Sequence, residues 1–122
     1  MALRVINRLV EAMNRHDIDA LVACFAPDYV NVWPVHPGRS FTGRDQVRRN
    51  WEMMFKARPD LKVTVSAHAH VDDEDWAEWE FVGTERDGSL FHQRGVIISV
   101  VEGDVITRTR FYMEPVDAPT PQ

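Results

Sequence analysis

The spacing of apolar residues changes once along this chain, dividing it into a helical part and a stranded part. Leu3, Ile6, Leu9, Val10 and Met13 recur at helical intervals with Arg4, Arg8 and Glu11 between them, which predicts an amphipathic first helix. Asp17 stands where an N-cap would open a second, short helix carrying Leu21, Val22 and Phe25, ended by Pro27 and Asp28. Tyr29, Val30, Val32 and Trp33 read as a short strand stopped by Pro34 and Pro37. Thr42 to Asp45 has the spacing of a capping box, with Asp in place of the usual Glu or Gln. It predicts a third helix with Val47, Trp51, Met54 and Phe55 on one face, closing before Pro59.

From residue 60 the period is two. Leu61, Val63, Val65, Ala67, Ala69 and Val71 alternate with Lys62, Thr64, Ser66, His68 and His70. An acidic turn at Asp72 to Asp75 leads to a strand from Trp76 to about Glu85, and Asp87-Gly88 marks a hairpin. A strand over 92–101 and a turn at Gly103-Asp104 lead into a last strand over 105–114. Pro115, Pro119 and Pro121 leave 116–122 as a loose tail to one domain spanning 1–115. A meander of four long strands twists and curls, and three helices cover only its concave side. The expected architecture is α+β: a cone-shaped antiparallel sheet on three N-terminal helices, enclosing a pocket for a small apolar molecule.

Composition narrows the partners. At 122 residues and 44% apolar content the chain can bury a core without disulfides or metal. A net charge of -5 argues against nucleic acid, which calls for a concentrated cationic face. No apolar run approaches the length of a membrane span, and the first helix lacks the apolar core of a targeting segment. The single Cys24 fits a reducing cytoplasm. Neither a Gly-rich phosphate loop nor a nucleophile elbow is present, and no cofactor is expected.

The stretches NRHDIDALVACFAPDYV, WPVHPGRSFTGRDQVRRNW, WAEWEFVGTERDG and RGVIISVVEGDVITRTRFYMEPV occur in an order and spacing that resemble the SnoaL-like branch of the nuclear transport factor 2-like superfamily. That resemblance implies a cone-shaped domain, usually dimeric through the outer face of its sheet. It also implies a choice among isomerase, cyclase, hydrolase and purely binding members. Ungapped comparison puts the ketosteroid isomerases' general-base aspartate on Trp33, their oxyanion tyrosine on Leu9 and their protonated aspartate near Val96. All three are apolar here, so that proton shuttle is not expected. The Arg and Asp of the limonene epoxide hydrolases fall on Glu78 and Glu80, and their second Asp on Phe111.

The strand WAEWEFVGTE carries Ala77, Trp79, Phe81 and Gly83 on one face and Trp76, Glu78, Glu80, Val82 and Thr84 on the other. A soluble monomer would turn the first face inward, whereas the family comparison turns the carboxylates inward and gives Trp79 and Phe81 to a partner subunit. On the second assignment Glu78 and Glu80 are candidate proton carriers and Arg94 a stabiliser of negative charge, with hairpin counting placing Glu80 opposite Arg94. The same glutamates can equally be structural partners of Arg94. Trp33, His36, Trp51, Phe55, Val96, Phe111 and Met113 are the candidate pocket residues, with Tyr112 and Glu114 outward. His68 and His70 share a strand face, but no third ligand stands at convincing spacing and metal binding is not expected. The chemistry expected is isomerisation, cyclisation or hydration of a hydrophobic metabolite, and the alternative is a non-catalytic dimerisation domain with a vestigial cavity.

Overall fold

A computed structural model describes residues 2–117, with side chains from Arg4 onward. Helices α1 (Ala2–Asn14), α2 (Ile18–Val22) and α3 (Arg44–Ala57) lie against six strands: β1 (Phe25–Val32), β2 (Phe41–Thr42), β3 (Lys62–Val71), β4 (Glu74–Thr84), β5 (Leu90–Glu102) and β6 (Val105–Pro115). The strands form one sheet in the order β2-β1-β6-β5-β4-β3. Only β1 and β6 run parallel, so the sheet is mixed where a purely antiparallel one was expected. The tail expected over 116–122 lies mostly outside the described residues, as do Pro119 and Pro121. Among the described residues no helix is long and apolar enough to cross a membrane.

The helical third follows its apolar spacing, with differences at two boundaries. Val5, Ile6, Leu9, Ala12 and Met13 form the buried stripe of α1. Asp17 caps α2 by accepting the Ala20 N–H at 3.1 Å. The helix ends at Val22, and Phe25 belongs to β1. The Ile106 N–H donates to Cys24 O, and Phe25 pairs with Ile106, so docking on β6 draws the chain into a strand before Pro27. Proline gives no N–H to a ladder, and the β1–β6 register slips between Phe25 and Val30, around it. Thr42 does not cap α3. It pairs with Val30 in β2, and Gly43, at φ 98°, turns the chain into the helix while donating its N–H to Tyr29 O at 2.7 Å.

The meander also differs from simple alternation. On β4, Asp75, Ala77, Trp79, Phe81 and Gly83 are buried, while Trp76, Glu78 and Thr84 are exposed. The apolar face turns toward the helices, because these need apolar partners there: Trp51 of α3 packs edge-on against Phe81 with ring centroids 5.7 Å apart. The expectation that Glu78 and Glu80 face inward and Trp79 and Phe81 meet a partner is therefore reversed. On β3 the register shifts between Val65 and Ala67. Val63 and Val65 lie across from Phe81 and Trp79, but beyond the shift His68 and His70 lie across from Ala77 and Asp75. The bulge exchanges the faces of the strand, so the histidines turn inward and Ala67 and Ala69 outward.

At Gly95 the backbones of β5 and β6 approach so closely that a Cβ would lie 1.9 Å from the Tyr112 carbonyl oxygen. Relief requires separating paired strands, not rotating a side chain. Gly95→Ala should lower stability by about 3 kcal/mol in chemical denaturation, the upper end for overpacking.

Candidate functional site

Two helices cannot fill the hollow of so curved a sheet, and a cavity of about 310 Å³ remains between them. Leu9 and Met13 of α1 and Val47, Trp51 and Met54 of α3 form its helical wall. Trp79, Phe81, Ile97, Phe111 and Met113 form the sheet wall, with Trp33 and Phe41 from the β1–β2 side. The volume sits at the lower end of the roughly 300–1,000 Å³ typical of small-molecule sites.

Polar groups enter this apolar space as a cross-strand row. Asp75 pairs with Ser99, Ser99 with Thr109 and Thr109 with Asn31, and these are the four buried polar residues among those described. Ser99, Thr109 and Asn31 line the cavity, and Asp75 continues the row beyond it. The Tyr29 hydroxyl shares a short hydrogen bond with Thr109 Oγ1 and accepts from Asn31 Nδ2 at 3.0 Å. Burial pushes its pKa up to about 12 against the opposing pull of the Thr109 and Asn31 hydrogen bonds, so it stays a neutral phenol at ordinary pH. Asn31 Oδ1 and Trp79 Nε1 are buried without a partner.

The outer end of the row is a cluster that the alternation pattern hid. His68 Nε2 and His70 Nδ1 both lie against Asp75 Oδ1, at 2.9 and 3.0 Å, and Asp75 is 1% exposed. The His68-x-His70 spacing was legible, but the bulge that aims both rings at Asp75 was not. Among the described residues no three His, Cys, Asp or Glu side chains are arranged to hold a metal ion.

Of the candidate pocket residues, Trp33, Trp51, Phe111 and Met113 line the cavity. Phe55 instead stacks on His16 with centroids 4.3 Å apart, and His36 sits at the surface against Glu114 at 2.9 Å. Val96 pairs with Glu78 on the convex face, and Tyr112 and Glu114 point outward as expected. Glu78, Glu80 and Arg94 are also convex, outside the cavity. Glu80 does face Arg94 in register, but the closest approach is 3.9 Å with Arg94 54% exposed, and Glu80 hydrogen-bonds His92. The turn count was right and the face was not. Neither a carboxylate nor an imidazole of the described residues lines the cavity, and its only charged side chain is Arg39, whose guanidinium lies 5.0 Å from the Trp33 ring centre. Gln93 and Asn50 also line it, and nothing but position in the fold marks these three.

Three comparisons bear on this geometry. The family described as SnoaL-like domain matches residues 6–109. No curated protein matches the chain. Among solved structures, Rv0760c of Mycobacterium tuberculosis in complex with estradiol-17beta-hemisuccinate is 22% identical, with a TM-score of 0.77 over 91% of this chain and 92% of that one. A protein of ketosteroid isomerase-like fold from Catenulispora acidiphila in complex with trimethylamine is 19% identical, with a TM-score of 0.76 over 88% and 84%. IdmH, a candidate polyketide cyclase from Streptomyces antibioticus, is 22% identical, with a TM-score of 0.76 over 92% and 89%.

Two measurements follow from the site. Because folding raises the Tyr29 pKa from about 10 to about 12, its contribution to stability is complete below pH 10 and is lost as pH rises through that interval. Tyrosinate absorbance should show a step near pH 12 that Tyr29→Phe deletes. On the convex face, Arg94→Ala should change stability by less than about 1 kcal/mol in urea denaturation, as for an exposed pair.

Proposed function

We propose that this chain, which belongs to the SnoaL-like domain family, binds a small, largely apolar molecule in its concave cavity and works as a homodimer. The carrying observation is the cavity itself: largely aromatic and aliphatic, polar along one row and at Arg39, Asn50 and Gln93, and lined by no acid or imidazole of the described residues. Such a site gains affinity from burying apolar surface and orientation from a few hydrogen bonds. The estradiol ester held by the Rv0760c structure supports the reading. A second reading, turnover of a hydrophobic metabolite by isomerisation, cyclisation or hydration, is favoured by the Tyr29–Asn31–Thr109 group at the wall. Neutral hydrogen-bond donors of that kind can stabilise developing negative charge.

The dimer proposal rests on the convex face. Trp76 and Tyr112 are 41% and 38% exposed there, beside a shallow hollow lined by Ala67, Ala69, Ala77 and Val96 together with His68 and Glu78. Large aromatics next to a largely apolar hollow suit a self-complementary interface. A cytoplasmic setting is part of the same reading, supported by one free, buried Cys24.

A thermal-shift screen of steroids, terpenoids and aromatic polyketide fragments tests binding. A true ligand at a hundredfold excess over Kd stabilises by about 2.7 kcal/mol. Ser99→Phe, filling the cavity, should abolish the shift while leaving the circular dichroism spectrum intact. A screen without any stabilising compound would favour a dimerisation domain whose cavity is unused. Light scattering should give twice the monomer mass, and Trp76→Glu should reduce it to one.

A further inference from the structure

The cavity's polar groups discriminate among ligand charges, and on the reading that it is a binding site they define the class of its occupant. We infer that the ligand is an apolar carboxylate, seated with its acid group at Arg39 and its body between Trp51, Trp79 and Met113. Among the described residues Arg39 is the only charged side chain lining the cavity, and none of their carboxylates pairs with it. Its guanidinium is held over Trp33, whose ring packs on Phe111 with centroids 5.0 Å apart and whose backbone N–H donates to Ser40 Oγ at 2.9 Å. The solvent-exposed cation thus lies in a cation–π contact, and none of its side-chain N–H groups is hydrogen-bonded to a described residue. Glu114, the acid on the neighbouring strand end, is occupied by His36.

Among the neutral groups, Asn31 Oδ1 is one unpaired acceptor, set against unpaired donors at Trp79 Nε1 and on the Asn50 amide. Asn50 Oδ1 accepts from Gln46 Nε2 at 2.7 Å, which leaves the Asn50 amide N–H groups for the cavity side. A carboxylate offers only acceptor sites and matches a guanidinium fork bidentately. An ammonium ligand would meet a like charge at Arg39 and no acid to receive it. A phosphate dianion would leave one of its charges without a partner. A single cation therefore selects a monoanion, and the apolar walls select the rest of the molecule.

The test uses matched sets built on phenyl, naphthyl and steroid bodies, each as the carboxylate, its methyl ester and the corresponding primary amine. Calorimetry on the full chain measures their affinities. For at least one body the acid should bind at least tenfold tighter than the ester, with the amine weakest, and added salt should erode the acid's advantage. Arg39→Gln should bring the acid's affinity down to that of the ester. Arg39→Lys should restore part of the difference, because charge returns without the fork. Esters binding as tightly as acids, with Arg39→Gln changing neither, would overturn the carboxylate inference and leave the binding reading standing. If no compound in any set bound, both would fall together.

Discussion

The contact between Trp51 and Phe81 decides which side of the sheet becomes the interior. Side chains on a strand alternate strictly, so once Phe81 faces α3, Trp79, Ala77 and Asp75 follow it inward and Glu78 and Glu80 go outward. Strand pairing passes that choice across the sheet, to Ile97 and Ser99 on β5 and to Thr109, Phe111 and Met113 on β6. One aromatic contact therefore sets the chemistry of the whole cavity. Had the sheet been turned over, the hollow would hold glutamates, arginines and a histidine.

Curvature supplies the space and the polar row supplies its orientation. The helices reach the sheet through Leu9, Met13, Val47 and Trp51, and what lies between is too wide for side chains to close. In such a cavity an unpaired polar group is costly, so Tyr29, Asn31 and Thr109 satisfy one another, leaving Asn31 Oδ1 and Trp79 Nε1 as exceptions on the sheet wall. The same row runs outward through Ser99 to Asp75 and its two histidines, joining the cavity wall to the edge strand β3.

The charge that the interior excludes is gathered on the convex face, where Glu80 meets His92 and Arg94 and Glu74 meets Arg110. These pairs flank Trp76 and the hollow beside it. Polar pairs around an apolar centre are the composition of a protein interface, whose rim tolerates water and whose middle excludes it. The missing side chain of Gly95 lets β5 and β6 close up at the position between Trp79 and Met113.

Local information determined much of this. The helical spacing of Ile6, Leu9 and Met13, the Asp17 cap, the period-two run after residue 60 and the hairpin count that pairs Glu80 with Arg94 all depend on neighbours in sequence, and all are legible there. So was the family, whose residue order along the chain carries the cone. What tertiary structure alone decided is direction. Period-two alternation is symmetric between faces, so nothing within WAEWEFVGTE says which face meets a helix; the packing of α3 breaks that tie. The bulge after Val65 is equally silent, since Ser66 continues the alternation in sequence while the backbone slips by one residue. Arg39, Asn50 and Gln93 bear no motif and become a site only because three separate elements bring them to one cavity.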